Sequence, residues 1–317
     1  MPTKKIVITG ADGFIGRNLF DFFASHKEYD VWGTYHLKKS FDHPNLIQAD
    51  LMRREDVSRI CTGADIIVHA AAVTSGAKNI VSRPYIYVTD NTIMNTLLFQ
   101  EVYDRSISRF IFFSCSVMYP MDRTVPVKEE DVDLENGIHR AYFGGAWMKV
   151  YAEKICEFYS RLGRTSFTVI RHSNIYGPHD TFDQDKAHVF AATILKVMNG
   201  KDSITVWGDG SERRDLLYID DLIRFVGLAL AKQKSPYELV NVGVGRAVSV
   251  AELVSRIVTH SGKKLQIHFD PSKPTIPSRL ALDYSKAREL FNWEPSTTLD
   301  DGIKKTLDWY GRQSLAT

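Results

Sequence analysis

Short apolar runs alternate with amphipathic stretches through the first half of the chain. Ile6 to Thr9 reads as a buried strand. The stretch from Phe14 to Ala24 reads as a helix, its apolar stripe carried by Phe14, Ile15, Leu19, Phe20, Phe22 and Phe23. Further strands are predicted at residues 30–35, 45–49, 64–70, 110–114 and 165–171, with helices between them, among them 91–104 and 146–162. Repeated β-α units of this length predict an α/β fold, a parallel sheet covered on both faces with its ligand at the carboxyl ends of the strands. Residues 172–213 are richer in turn signals, around a helix at 189–199. Residues 214–230 and 237–243 read as a return to the first unit, and 249–261 as another helix. The expected division is 1–171 with 214–245 in one domain, and 172–213 with 246–317 in a smaller one.

Composition narrows the partners. A chain of 317 residues, 44% hydrophobic, can bury a large core. Its net charge is +2, from 40 basic and 38 acidic residues with no basic block, which argues against nucleic acid. No apolar run reaches membrane-spanning length, and Met1-Pro-Thr-Lys-Lys5 leads straight into a strand without a leader pattern. Cys61, Cys115 and Cys156 are odd in number and widely spaced, so reduced thiols in a cytoplasmic protein are expected. Metal-ligand spacings such as CxxC or HExxH are absent from the sequence.

The turn between the first strand and helix carries Gly10, Gly13 and Gly16 at three-residue spacing. Such a turn allows a tight bend, a close backbone approach to a pyrophosphate, and close helix–strand packing. The helix N-terminus, at Phe14 and Ile15, offers free N–H groups and a positive dipole end to phosphates. With its GxxGxxG spacing, this segment resembles the short-chain dehydrogenase/reductase superfamily, in the extended branch that works on nucleotide sugars. The tail from Asp283 to Pro295 is similar to that branch as well, so the resemblance runs over nearly the whole chain. It implies a Rossmann-type doubly wound parallel sheet with a smaller C-terminal substrate-binding domain. It also implies a homodimer built on the helices at 91–104 and 146–162.

The resemblance assigns Asp50 and Leu51, after the third strand, to the adenine, and Ala70, Ala71 and Ala72 to the cofactor's flank. Asn91 matches an asparagine that braces the sheet. No acid stands at the end of the second strand, where an NAD enzyme usually places one for the ribose 2′-hydroxyl. His36, Lys38 and Lys39 stand there instead and suit a 2′-phosphate, favouring NADP over NAD.

The superfamily manages protons with a tyrosine, a lysine one helical turn later, and a Ser or Thr at the end of the fifth strand. Lys149 matches the lysine. The tyrosine position is Gly145 and the Ser/Thr position is Cys115, flanked by Ser114 and Ser116. Tyr142 is the available phenol. On a continuous helix it would lie about 10 Å along the axis from Lys149, and Gly144-Gly145 argue against such a helix. Cys115 is also a candidate for simple packing. The segments from Asn174 to Asp180 and from Lys186 onwards resemble the GDP-L-fucose synthase family, whose acid histidine falls on His188; His172 and His179 are further histidines nearby. That family's epimerisation cysteine falls on Val117. The resemblance also assigns Trp207, Arg214 and Arg279, with Asn174, to the nucleotide-diphospho sugar, and a guanidinium fork suits a pyrophosphate. The expected activity is NAD(P)-dependent oxidation or reduction at C4 of such a sugar, GDP-linked by preference. A nucleotide-sugar epimerase with tightly held NAD is the alternative enzyme. A 4,6-dehydratase is disfavoured, since no Asp-Glu pair follows Cys115. A non-catalytic dinucleotide or sugar-nucleotide sensor is the alternative of another class.

Overall fold

The computed structural model describes residues 3–73, 84–183, 187–273, 275–276 and 278–314. Its centre is a seven-stranded parallel sheet, with β1 (Lys4–Thr9), β2 (Tyr29–Tyr35), β3 (Leu46–Gln48), β4 (Ile66–His69), β5 (Arg109–Phe113), β6 (Ser166–His172) and β10 (Tyr237–Val242). The strand order is β10-β6-β5-β4-β1-β2-β3. The sheet therefore reverses direction of build between β1 and β4, which opens a crevice at their carboxyl ends.

Alternation along each strand explains why both faces are covered. Ile6 and Ile8 of β1 join one core, with Val68, Ile111 and Ile170 from neighbouring strands. Val7 points into the other, with Ile67, Phe110, Phe112 and Val169. Helix α1 (Phe14–Ala24) closes the first core with Leu19, Phe20 and Phe23. Helices α2 (Arg54–Cys61), α3 (Pro84–Asp104) and α4 (Phe143–Arg161) close the second with Ile60, Leu98, Phe99 and Cys156.

A second sheet is made by β7 (Asn174–Tyr176), β9 (Arg213–Tyr218), β11 (Ala247–Ser249) and β13 (Arg279–Leu280). A two-stranded parallel ribbon pairs β8 (Ser203–Trp207) with β12 (Gln266–Asp270). Helices α5 (Val189–Asn199), α6 (Ile219–Lys232), α7 (Val250–His260), α8 (Ser285–Phe291) and α9 (Leu299–Ser314) complete the fold. β9 belongs to this second sheet, although the sequence reading grouped residues 214–218 with the first unit. The chain rejoins the main sheet only at β10.

Two helix boundaries differ from expectation. α3 starts at Pro84, seven residues before 91, where proline's missing N–H costs nothing in a first turn. α4 starts at Phe143, so Gly144 and Gly145 lie in a continuous helix rather than breaking it. In the first turn the N–H groups have no intrahelical partner in any case. Gly144 is also required by packing, since a Cβ there would come 2.8 Å from Val88 Cγ2 of α3.

Beneath the carboxyl ends of β5 and β6 lies a buried ion pair. Arg171 donates through Nη2 to Glu153 Oε2 at 2.6 Å and through Nε to Oε1 at 3.0 Å. Ser114 Oγ donates to the same Oε1, and Arg171 Nη1 reaches the Tyr119 hydroxyl at 2.9 Å. The side chains of the pair are 6% and 3% exposed, so neither charge has water to fall back on. Glu153→Gln leaves Arg171 buried without a counter-charge. The expected loss is about 3–5 kcal/mol of unfolding free energy, read by urea denaturation.

Candidate active site

The glycine turn adopts the geometry a phosphate cradle needs. Gly10 has φ +67°, and a Cβ on it would sit 2.7 Å from Ala71 Cα. A Cβ on Gly16 would lie 2.0 Å from the Gly10 carbonyl oxygen, so α1 can approach the turn only with glycine there. Gly13 stands at the N-cap and leaves the first N–H groups of α1, from Phe14 onwards, without a side-chain cap. The Gly10 N–H is held by Thr34 Oγ1 at 3.0 Å.

Next to the turn a groove is lined by Gly10, Thr34, His36, Asp50, Leu51, Ala71 and Ala72. Six of these seven were expected at the cofactor from sequence; Thr34, with Tyr35, Val73 and Met94, was not. Asp50 Oδ1 accepts from the Met52 N–H at 3.0 Å. Ala70 hydrogen-bonds Thr9 O through its N–H, fixing the exit of β4. Asn91 is buried and bridges α3 to Val73, accepting from its N–H at 2.9 Å and donating to its carbonyl at 3.0 Å. Lys38 lies on an exposed loop, where Lys39 pairs with Asp42 and the Ser40 N–H donates to Asp12. The bare helix N-terminus and this groove fit a dinucleotide.

The groups expected from the sequence to handle protons lie around the ends of β5 and β6. Lys149 Nζ donates to the Phe113 carbonyl at 2.7 Å and lies 4.8 Å from the Phe112 ring. Burial lowers its pKa, partly offset by Cys115 and Glu153. Cys115 follows β5; burial pushes its thiol up, against the pull of Lys149. Ser116 opens a turn in which its carbonyl accepts from the Tyr119 N–H at 3.2 Å. Ser114, by contrast, is committed to Glu153 and is no site residue.

Tyr142 is not part of α4 but its N-cap, at the end of a 3-10 turn over Arg140–Tyr142. Burial raises its phenol pKa, and Arg214 and Cys115 are the charged neighbours that act on it. Gly145 faces open space, with nothing within 4 Å of a Cβ built there. The Tyr142 phenol comes from the turn that precedes it.

Arg214 is held by the carbonyls of Arg213 and Ile276 at 3.1 and 3.2 Å, and senses both Tyr142 and Glu212. Arg279 lines a cleft of 600 Å³ with Glu212, His139, Asn136 and Asp122. His139 lies 6.1 Å, ring to ring, from Tyr142, so this cleft continues the site. His188 is the N-cap of α5 without capping it, so its ring is free of that duty; the residue is exposed, and the protein packed around it lowers its pKa by desolvation. Asn174 Nδ2 donates to the Asp215 carbonyl at 3.1 Å. Trp207 is half exposed at the end of β8, 5.8 Å from Lys196 Nζ, and lines neither the groove nor the cleft. Lys186, in the segment next to His188, lies outside the described residues.

A model of the NAD dependent epimerase/dehydratase family matches residues 6–243. The chain belongs to that family. Its relatives include the GDP-L-colitose synthase of Yersinia pseudotuberculosis, 27% identical over 96% of this chain and 97% of that protein. The GDP-L-fucose synthase of Azorhizobium caulinodans is 29% identical, covering 97% and 96%. Among solved structures, a UDP-glucose 4-epimerase from Thermotoga maritima superposes with a TM-score of 0.87 at 26% identity, over 98% of this chain and 99% of that one. A nicotinamide dinucleotide is thus the family's cofactor, and nucleotide sugars are what these relatives are named for. Among the described residues no helix is long and apolar enough to cross a membrane, and no cluster of metal-binding side chains occurs.

Sequence reasoning did not single out Asp180, which the structure buries in the loop after β7 with Oδ2 unpartnered. The signal was its place beside His179, which has φ +66°. Burial pushes its carboxyl up to about 6, against one bond from the Thr181 N–H. The folded pKa lies above the unfolded one, so this group's contribution to stability is lost as pH rises through about 6. Asp180→Asn removes that loss. In urea titrations the stability difference should move in the variant's favour by about 3 kcal/mol between about pH 4 and about pH 8.

Proposed function

We propose that the protein is an NADP-dependent oxidoreductase that reduces a 4-keto nucleotide-diphospho sugar at C4, with a GDP-linked deoxyhexose as the favoured substrate. The observation that carries this reading is the bond of Lys149 to Phe113 at the end of β5, next to Cys115, with Tyr142 near enough for both Cys115 and Arg214 to act on its phenol. The bound cofactor supplies the hydride. Lys149 keeps two N–H donors after bonding Phe113 and orients the cofactor's ribose from there. The Tyr142 phenol and the Cys115 thiol are both protonated at neutral pH and so donate to the oxygen that gains charge at C4. His188 supplies a further imidazole from the rim. Arg214 and Arg279 take the diphosphate, and Asn174 borders it.

NADP is supported by the absence of an acid at the end of β2, with His36 on the groove and Lys38 on the adjoining loop. Asp12, the nearby acid, is engaged by the Ser40 N–H. The division into a dinucleotide-binding domain and a sugar-nucleotide-binding domain is supported by the presence of two sheets, with β9 on the second, and the three free thiols suit a reducing cytoplasm. An epimerase holding NAD tightly is the second reading, favoured by the likeness to the Thermotoga UDP-glucose 4-epimerase.

The test is NADPH consumption at 340 nm with GDP-4-keto-6-deoxymannose and a panel of other 4-keto nucleotide sugars. Turnover is expected with the guanosine-linked sugar. Tyr142→Phe should lower it by about 10²-fold, and Gly145→Tyr, which enters open space, should raise it. Cofactor binding without turnover on any sugar would favour a sensor. Transfer between 4-hydroxy epimers without net NADPH loss would favour the epimerase.

A homodimer is also proposed. Phe143, Trp147, Tyr151, Phe158 and Leu162 are 42–61% exposed at helical spacing along α4, beside exposed Ile93 of α3. Such a stripe is the kind of surface a second copy covers. Light scattering should give twice the mass of 36.0 kDa, and Trp147→Glu with Tyr151→Glu should give the monomer.

A further inference from the structure

We propose that Glu212 and His139 form a subsite that grips one hydroxyl of the substrate's sugar ring, so that the protein selects sugars that keep this hydroxyl over their deoxy counterparts. This rests on the C4-reductase reading and deepens it, naming what the site demands of the sugar.

Glu212 is an acceptor without a donor. The residue is 8% exposed, its Oε2 is buried with no hydrogen-bond partner, and it lines the 600 Å³ cleft that also holds His139 and Arg279. A buried carboxylate oxygen in that state is costly, and a ligand that brings a donor removes the cost. The backbone is shaped to admit the side chain. Gly208 has φ +83°, and a Cβ there would come 2.8 Å from Glu212 Oε1.

His139 brings a donor of fixed direction. It is the N-cap of the 3-10 turn over Arg140–Tyr142, and its Nδ1 accepts from the Ala141 N–H at 3.3 Å. An amide N–H only donates, so Nδ1 uses its lone pair there and Nε2 carries a hydrogen. The loop before it is held in place. Asp133 Oδ1 accepts from the N–H groups of Glu135 and Asn136 at 3.1 and 2.9 Å, and a Cβ on Gly137 would come 2.6 Å from the Asp133 carbonyl oxygen.

Together the two groups choose the ligand's chemistry. A hydroxyl both donates and accepts, so it satisfies Glu212 and His139 at once. An ammonium only donates and would meet the Nε2–H donor to donor. A phosphoryl oxygen only accepts and would face the Glu212 carboxylate. A deoxy carbon leaves both protein groups unpaired, which is how a site rejects an analogue that lacks a hydroxyl. The cleft's place selects the part of the ligand. The His139 ring centroid lies 6.1 Å from that of Tyr142, whose phenol the proposed reading sets at the C4 oxygen, and Arg279, to which that reading gives the diphosphate, lines the same cleft. The sugar ring lies between them, with its C2 or C3 hydroxyl on Glu212 and His139.

The experiment uses the full chain with NADPH and GDP-4-keto-6-deoxymannose, or its analogues lacking the C2 or the C3 hydroxyl. Wild type should prefer the parent sugar over one of the two analogues by at least ~100-fold in kcat/KM. Glu212→Met, which keeps the buried bulk without the acceptor, should collapse that ratio. His139→Asn, which keeps an acceptor at the N-cap and removes the ring, should lower it by ~10-fold. The two substitutions lie on separate loops, which guards against one that fails to fold. A wild-type ratio near one for both analogues, or a wild-type ratio kept by both variants, overturns the proposal. Calorimetry with GDP-mannose and its 2-deoxy and 3-deoxy analogues reads the subsite without turnover. If no NADPH is consumed with any sugar, the reductase reading falls. Equal affinities then overturn the subsite as well, whereas a preference for the hydroxyl that Glu212→Met abolishes supports it.

Discussion

The ion pair between Arg171 and Glu153 sets the geometry on which the site depends. Glu153 lies four residues after Lys149 on α4, so both side chains leave the same face of that helix. By fixing Glu153 against β6, the pair fixes the rotation of α4 and so the direction of Lys149. Arg171 is the residue before His172, so the pair also anchors the end of β6. The surrounding bonds extend this hold. The Tyr119 hydroxyl donates to Asn241 Oδ1 at 2.7 Å, and the Asn241 N–H donates to Glu129 Oε1 at 2.6 Å, which ties β10 to the loop after β5. Two desolvated charges are a poor source of net stability. Their value here is positional.

Much of the main sheet was legible in the sequence because its central strands are buried on both faces. Runs such as Ile6-Val-Ile8 and Phe110-Ile-Phe-Phe113 carry an unbroken apolar signal. The dinucleotide groove was legible for a related reason: close backbone approach demands glycine, and glycine is visible in a sequence. The second sheet was harder. β7, β11 and β13 are only two or three residues long, too short for a period to emerge. β9 reads as an apolar strand but carries no mark of which sheet it joins.

The catalytic end was legible in its parts and not in its arrangement. Cys115, Lys149, Tyr142 and Arg214 stand far apart in sequence, and their charges act on one another only because β5, α4 and β9 converge. The helix start at Phe143 could not be read through two glycines, since the contact that favours Gly144 is with Val88 on another helix. Trp207 was read from a matching position alone; the structure sets it at the end of β8, paired in register with Asp270 and beside Lys196, with its ring half exposed.

Asp215 bears on how the protein moves. Its buried carboxylate accepts from the N–H groups of Val244, Gly245 and Leu282 at 2.9, 3.1 and 3.0 Å. It belongs to β9 of the second sheet, Val244 and Gly245 follow β10 of the main one, and Leu282 lies in the C-terminal segment. A hinge between the two sheets would strip three donors at once from a carboxylate that is 1% exposed. The three bonds therefore resist opening between the sheets. Admission of a sugar nucleotide by loop rearrangement leaves them intact, whereas swinging the sheets apart breaks all three.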